Sequence, residues 1–427
     1  SATLTALALF TLFAPLAVAL LLRVGPAALR RRGDLLAIGT MALTFLASAG
    51  IYHATMIAPL RLPGYGANDI AQTVRMSAHL PWLSGDGWSL GVGLYLDSLG
   101  AIMLLIVTGL ATLVLVYSRW YLHGDRFYVG FFRSFCFFCF AMLGVVLADG
   151  LLMAFVFWEL VGLGSYLLIG YWYDKPAAAD DPEYQARKPA FARGILEHRL
   201  SPAHAQLKGF IVNRIGDAGF LVGIGLFAAA LIPQGGAHAL SWTSLFGAAP
   251  QLDHGLLTAA GACLCLGAIA KSAQFPLHLW LPDAMQGPTT ASSIIHAATM
   301  VAAGVFLVAR LTPLLTPEVL TALAWTGGIT CLLAAAMACV QWDLKAVLAY
   351  STVSQLGFML VGLGSGGDAG YAAGTGHLFT HAMFKCLLFL GAAAVIHACH
   401  QHQDLGRLGG LARTMPLTAI TMGVGVL

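Results

Sequence analysis

Apolar runs alternate with short polar segments along most of the chain, and most of the runs are long. A helix needs about 20 mostly apolar residues to cross a bilayer. The pattern predicts spans over 3–22, 35–57, 98–118, 130–147, 150–172, 207–232, 255–280, 291–312, 318–340, 344–363 and 370–397. A twelfth begins near 415 and reaches Leu427 while still too short to cross, so the protein is expected to continue. The runs are continuous and do not alternate residue by residue, which selects helices over a lipid-facing barrel. The fold class expected is all-α, a polytopic transmembrane helical bundle.

Composition supports a lipid environment. Of the 427 residues, 59% are hydrophobic and only 10% charged, where a soluble domain carries about 25% charged. The net charge of +3 is small, and no basic block is large enough to bind nucleic acid. The eight cysteines lie nearly all inside apolar runs. Cys136 and Cys139 form a C-x-x-C within SFCFFCF, which reads as packing, since buried free cysteine behaves as a small hydrophobe. The first run has no A-x-A-like cleavage site and is followed by a basic cluster, so it reads as a retained helix.

Lysine and arginine set the orientation. Arg23, Arg30, Arg31 and Arg32 follow the first span, and Arg119 and Arg126 follow the third, with Arg133 nearby. Lys175, Arg187, Lys188, Arg193, Arg199 and Lys208 follow the fifth. The stretch 58–97 has only Arg61 and Arg75, and 148–150 and 233–254 have none. Odd spans are therefore expected to end in the cytoplasm. The polar stretch 174–206, with four prolines, reads as a surface loop and a candidate docking site.

Ionisable groups at membrane depth cost on the order of 3 kcal/mol or more and mark function by default. Glu159 sits in LLMAFVFWELVGLGSYLLIG, with apolar sequence on both sides. Lys271 sits in CLGAIAKSAQFPLHLWLPDAM, before Pro276 and Pro282. Proline removes a backbone donor and clashes with the preceding turn, so the helix should break just after the lysine. Broken helices at membrane depth line wet or protein-lined cavities. His296 lies in SSIIHAATMV, where a hydrogen-bonded core histidine is the competing reading. His377, His381 and Lys385 stand at i, i+4 and i+8, on one helix face about 6 Å apart step by step. Histidine exchanges protons near neutral pH, so the row reads as a relay. Arg214 and Asp217, at i and i+3, read as a supporting pair, although Asp217 could also pair across to another helix. Lys345 follows Asp343 at the start of a span and reads as interfacial. His397, His400 and His402 have poor metal spacing, and no metal site is expected.

Eight segments carry a family resemblance: LYLDSLG (94–100), WELVGLGSYLLIG (158–170), NRIGDAG (213–219), KSAQFPLHLWLPDAMQGPT (271–289), IIHAATMVAAGVFLVAR (294–310), DLKAVLAYSTVSQLGFM (343–359), HLFTHAMFKCLLFL (377–390) and QDLGRLGGL (403–411). The chain resembles the largest antiporter-like subunit, of the L or chain 5 type, of complex I (NADH–quinone oxidoreductase). The resemblance implies N-terminal helices over 1–120, a first antiporter-like repeat over 121–315 and an incomplete second over 316–427. It implies inverted five-helix repeats, each with a broken helix. It also implies a proton-handling pair at Glu159 and Lys271, and a row at His296, His377, His381 and Lys385. Arg214, Asp217, Asp283 and Lys345 match as supports. At the break the family usually has G-P-T-P-V-S-A where this chain has GPTTASS, and Ala346 stands for the usual Arg.

The function implied is proton translocation within a complex I-type machine, beside other membrane subunits including a second antiporter-like one, with lipids and without nucleic acid. The membrane implied is the inner (plasma) membrane of a bacterium or an equivalent energy-converting one. No G-x-G-x-x-G fits a strand–helix turn, so no cofactor is expected in this chain and its redox chemistry belongs to partners. Mrp-type cation/proton antiporters and bicarbonate-uptake complexes share the fold. Asp283, Gly287, Ala297 and Ala302 stand where the antiporters differ. A haem cytochrome is disfavoured because His377 and His381 share one helix, and a scaffold because it needs no buried charge.

Overall fold

The computed structural model describes residues 2–57, 76–85, 88–176, 200–234 and 239–427. Arg61, Arg75, Arg187, Lys188, Arg193, Arg199 and most of the candidate docking loop lie outside the described residues.

Among the described residues, eleven helical segments are long and apolar enough to cross a membrane. The first five carry α1 (Ala2–Val24), α2 (Gly33–Tyr52, continued by a π-turn to Ile57), α3 (Ser98–Tyr121), α4 (Tyr128–Leu147) and α5 (Leu151–Ile169). Then come α6 (Pro202–Leu231) and α7 (His254–Lys271). The eighth span is split into α8 (Thr289–Ala297) and α9 (Met300–Leu311). The last three are α10 (Pro317–Cys339), α11 (Leu344–Gly364) and α12 (Gly367–Ala398). A shorter apolar helix, α13 (Pro416–Val426), packs on α12. Every expected span is present.

The helices pack where small residues let backbones approach. A Cβ on Gly327 of α10 would sit 2.5 Å from the Gly357 carbonyl of α11, and one on Gly216 of α6 would sit 2.3 Å from the Ala270 Cβ of α7. Between helices in lipid, close packing replaces the hydrophobic driving force. From Thr289 to Leu311 every residue of the eighth span is buried, so α8 and α9 form the axis of the bundle.

Three features depart from the pattern read in the sequence. The stretch before the third span is not all loop: β1 (Met76–Gly85) pairs antiparallel with β2 (Trp88–Leu96), with an irregular register between Pro81 and Leu83. Proline cannot donate to a ladder, which explains both the irregularity and why its presence hid the strand. The seventh span ends at Lys271, short of the 280 that its apolar run reaches, with the break just after the lysine where Pro276 and Pro282 predict it: residues 272–279 are unwound before a short helix Trp280–Asp283. The eighth span is interrupted at Ala298–Thr299, where the Thr299 hydroxyl donates at 2.7 Å to the Ile294 carbonyl, which also accepts the Ala298 N–H at 3.4 Å.

Candidate functional site

Two clusters of buried ionisable groups flank that interruption. The first lies among α5, α6 and α7. Lys271, the last residue of α7, has its Nζ 3.8 Å from Asp217 Oδ2, and the two side chains are 1% and 3% exposed. Trp158 on α5 donates its indole N–H to Asp217 Oδ1 at 2.7 Å, and its ring lies 5.7 Å from the ammonium. Gly162, one turn along α5, leaves room: a Cβ there would sit 3.0 Å from Lys271 Nζ. Charges taken this far out of water persist only when paired, and here the pair spans two helices.

Glu159 does not pair with Lys271. Its carboxylate forms an ion pair with Arg214, whose guanidinium also lies 4.4 Å from the Phe210 ring centroid. The expected Arg214–Asp217 pair is also absent; each residue instead reaches across to a different helix. The reason is geometric. Residues i and i+3 on α6 point in directions about 60° apart, so Asp217 turns inward to α7 while Arg214 turns to α5 and the periphery. Arg214 is 41% exposed and Glu159 18%.

The second cluster joins α8, α11 and α12. His296 is fully buried, and its ring centroid lies 4.9 Å from that of Phe389. On α12, His377 and His381 have ring centroids 6.3 Å apart. His377 is half-buried and shares a 2.6 Å hydrogen bond with the Gln355 side chain. His381 and Lys385 are buried, and Lys385 donates to the Ser351 hydroxyl of α11. His296 lies within electrostatic reach of His381, Lys385 and Lys345. Lys345 stands at the start of α11, as expected, yet its side chain is 2% exposed, and its ammonium turns inward to donate to the Gly287 carbonyl at 2.9 Å, just before α8 begins.

Met300, the first residue of α9, lines the same small space as Lys271, Asp217 and Arg214, and Ser272 donates to the Val301 carbonyl at 2.7 Å. The break at Thr299 thus stands between His296 and the surroundings of Lys271. Asp283 pairs with Lys208 at the start of α6.

On the side of the basic loops, a cavity of about 810 Å³ is lined by Tyr121, Asp125, Trp172, Lys175, Lys345 and His397, among others. Asp125 accepts from Phe127 N–H, Tyr171 hydroxyl and Trp172 indole N–H. Burial opposes the charged carboxylate, but these hydrogen bonds outweigh it and hold the group below its ordinary value. Lys175 lies 3.5 Å from the Trp172 ring centroid, and burial pulls its ammonium below the ordinary range. Among the described residues no group of three or more His, Cys, Asp or Glu is arranged to hold a metal ion.

Sequence reading missed further pairs, among them Lys208–Asp283 and Arg310–Asp97. Both join residues far apart in the chain, and nothing local to either residue announces its partner.

Residues 193–427 match the family described as NADH:quinone oxidoreductase/Mrp antiporter, transmembrane, and residues 82–132 match the N-terminus of chain 5 of NADH-ubiquinone oxidoreductase (complex I). The chain is 43% identical over 418 residues to the chloroplastic NAD(P)H-quinone oxidoreductase subunit 5 of Nephroselmis olivacea, covering 93% of this chain and 56% of that one. It is 43% identical over 362 residues to NAD(P)H-quinone oxidoreductase chain 5 of a Picosynechococcus species, covering 82% and 50%. The chain thus spans about half the length of the curated relatives it matches. Among solved structures, a chain of the Mrp complex from a Dietzia species superposes with a TM-score of 0.74 at 28% identity, covering 99% of this chain and 41% of that one. A chain of an archaeal membrane-bound sulfane sulfur reductase shares the fold, with a TM-score of 0.77 at 20% identity, covering 100% and 77%. The chain belongs to the NADH:quinone oxidoreductase/Mrp antiporter transmembrane family.

Proposed function

We propose that this chain is a proton-translocating membrane subunit of a complex I-type NAD(P)H–quinone oxidoreductase. The observation that carries the reading is the Lys271–Asp217 pair, sealed from solvent beside an unwound segment of α7. A buried lysine held by a single carboxylate is a two-state element: with Asp217 close the proton stays on the amine, and as the carboxylate withdraws the proton leaves. His296, His381 and Lys385, with His377 at their edge, receive it across the break at Thr299. Relatives at 43% identity carry the quinone oxidoreductase name, which favours that complex over a free-standing cation antiporter.

The division into helices over 1–120, a first repeat over 121–315 and a second over 316–427 is part of this proposal. So are the partners. Arg214 lies twelve residues into α6, about 18 Å along its axis, and is 41% exposed on this chain. A charged side chain facing lipid at that depth costs on the order of 3 kcal/mol or more. We therefore assign a second membrane subunit to the face bearing Arg214 and Glu159. Redox centres are assigned to other subunits, and the location to a bacterial plasma membrane or an equivalent energy-converting membrane.

The test is Lys271→Ala in the assembled complex, sealed into vesicles, with proton uptake and electron transfer recorded together. Fewer protons moved per electron supports the reading, whereas an unchanged ratio would leave this chain a scaffold.

A further inference from the structure

Two arginines at the basic-loop ends of α1 and α4 stand together without a counter-ion. Arg23 lies in the last turn of α1. Arg133 is the sixth residue of α4, about 8 Å inside its start, and is only partly exposed. The two helices pack on each other, and the guanidiniums lie within electrostatic reach of one another. Among the described residues neither is ion-paired. α2 begins in the same corner: a Cβ on Gly33 would sit 2.7 Å from Leu22 Cδ2 of α1 and 3.6 Å from Val129 Cγ1 of α4. The carboxylate of this corner, Asp34, is already engaged, by Arg119 Nε at 2.9 Å and by the Tyr128 hydroxyl at 3.1 Å. Arg30, Arg31 and Arg32, all exposed, add further positive charge beside it.

Deeper in the membrane the same two helices present rings. Phe13 of α1, 48% exposed, lies 6.1 Å from Phe140 of α4, and Phe140 lies 6.4 Å from the partly exposed Phe137. Arg133, Phe137 and Phe140, at i, i+4 and i+7, share one face of α4. Arg23 is ten residues from Phe13, about 15 Å along α1, and Arg133 is seven from Phe140, about 10 Å along α4. Both guanidiniums therefore stand at one end of a single apolar groove. Snorkelling toward water accounts for one arginine near a helix end. Here the way out for Arg133 runs past Arg23, so rising to the surface brings two like charges together, and an anion between them removes the repulsion.

We propose that the groove between α1 and α4 binds one acidic phospholipid, its phosphate bridging Arg23 and Arg133 and an acyl chain lying along Phe13 and Phe137. The planar guanidinium fork matches phosphate oxygens two at a time, and basic pockets between transmembrane helices on the cytoplasmic side suit anionic headgroups. Charge at one end and rings along the rest fit an amphiphile better than a free anion, which would leave the rings uncovered. A zwitterionic headgroup brings its own ammonium beside the phosphate and does not neutralise the arginines, so the site selects for net negative charge. Binding is noncovalent and does not depend on the proton route through Lys271.

The test places the assembled complex in phosphatidylcholine vesicles doped with phosphatidylglycerol that carries a photoactivatable group midway along one chain. Illumination followed by mass spectrometry of the peptides should find labels on α1 or α4 around Phe13 and Phe137. Phosphatidylcholine carrying the same chain should label them several-fold less. Arg23→Gln combined with Arg133→Gln should bring the phosphatidylglycerol yield down to the phosphatidylcholine level. Equal labelling by the two lipids in the unaltered complex overturns the proposal, because the groove then holds ordinary boundary lipid. Labelling by neither overturns it as well, because another subunit then covers the groove. An unchanged phosphatidylglycerol yield in the double variant does the same. Should the double variant fail to assemble, Arg23→Gln alone, at an exposed position, decides: an undiminished excess of phosphatidylglycerol labelling overturns the site.

Discussion

Asp97 and Arg310, 213 positions apart in the chain, meet at 2.8 Å, and the same Asp97 oxygen caps α3 by accepting from Gly100 N–H at 2.8 Å. One carboxylate thus serves the start of α3 and the end of α9. The guanidinium is 3% exposed, the carboxylate 21%, and the rings of Tyr95 and Phe306 lie about the guanidinium at 4.9 and 5.1 Å. Removing one partner of a buried pair costs about 3–5 kcal/mol when the other is left charged and dry. Asp97→Ala strands the buried guanidinium, whereas Arg310→Met leaves a carboxylate that water can reach and that still caps α3. Thermal denaturation of the solubilised complex should therefore find Asp97→Ala the more damaging. The opposite order would show that the pair is not what holds these helix ends.

The crossed ion pairs make a prediction about coupling. Glu159 belongs with Arg214, and Asp217 with Lys271. Directly paired groups show interaction energies of roughly 0.5–3 kcal/mol in double-mutant cycles. Cycles on Glu159/Arg214 and on Asp217/Lys271 should return values in that range, and a cycle on Glu159/Lys271 a smaller one. Strong Glu159/Lys271 coupling would mean that the working state re-pairs these charges.

Gly162 is the simplest probe of the lysine pocket. A methyl group there would crowd Lys271 Nζ at 3.0 Å, tighter than an ordinary van der Waals contact. Overpacking costs about 1–3 kcal/mol, and here the flexible ammonium gives way before the backbone does. Gly162→Ala should assemble and yet pump several-fold more slowly, read as the initial rate of vesicle acidification. A normal rate would place the functional position of the ammonium elsewhere.

Asp125 ties the turn between α3 and α4 to the end of the fifth span. Its carboxyl is held below the ordinary value of 3.8 in the folded protein, so the stability it contributes is present above that value and lost as the pH falls below it. Hydrogen exchange at Phe127 N–H, corrected for intrinsic rates, should accelerate on acidification through that window. In Asp125→Asn the same amide should show a flat profile.

The spans were legible because lipid leaves the backbone no partner outside its own helix, so length and apolarity alone define them. The unwinding after Lys271 was legible from Pro276 and Pro282, a local cause with a local effect. The ion pairs were not. Arg214 and Asp217 sit at the spacing of a helical pair, and only the positions of α5 and α7 around α6 turn them apart. The start of α11 shows where Lys345 stands but not where its side chain goes: Asp343 caps α11 by accepting from Lys345 and Ala346 backbone N–H, and the ammonium goes to Gly287.

The enclosure of the eighth span bears on how such a protein is made. From Thr289 to Leu311 no residue keeps an exposed surface, yet the segment is as apolar as spans whose flanks face outward. Its finished surroundings do not demand that character, since protein and not lipid encloses it. Transfer from the ribosome into the bilayer does, because insertion weighs each segment by its own apolarity. The greasiness of this helix is a passport used once, during biosynthesis. It limits how many further polar groups the axis of the bundle could acquire, whatever the folded state would tolerate.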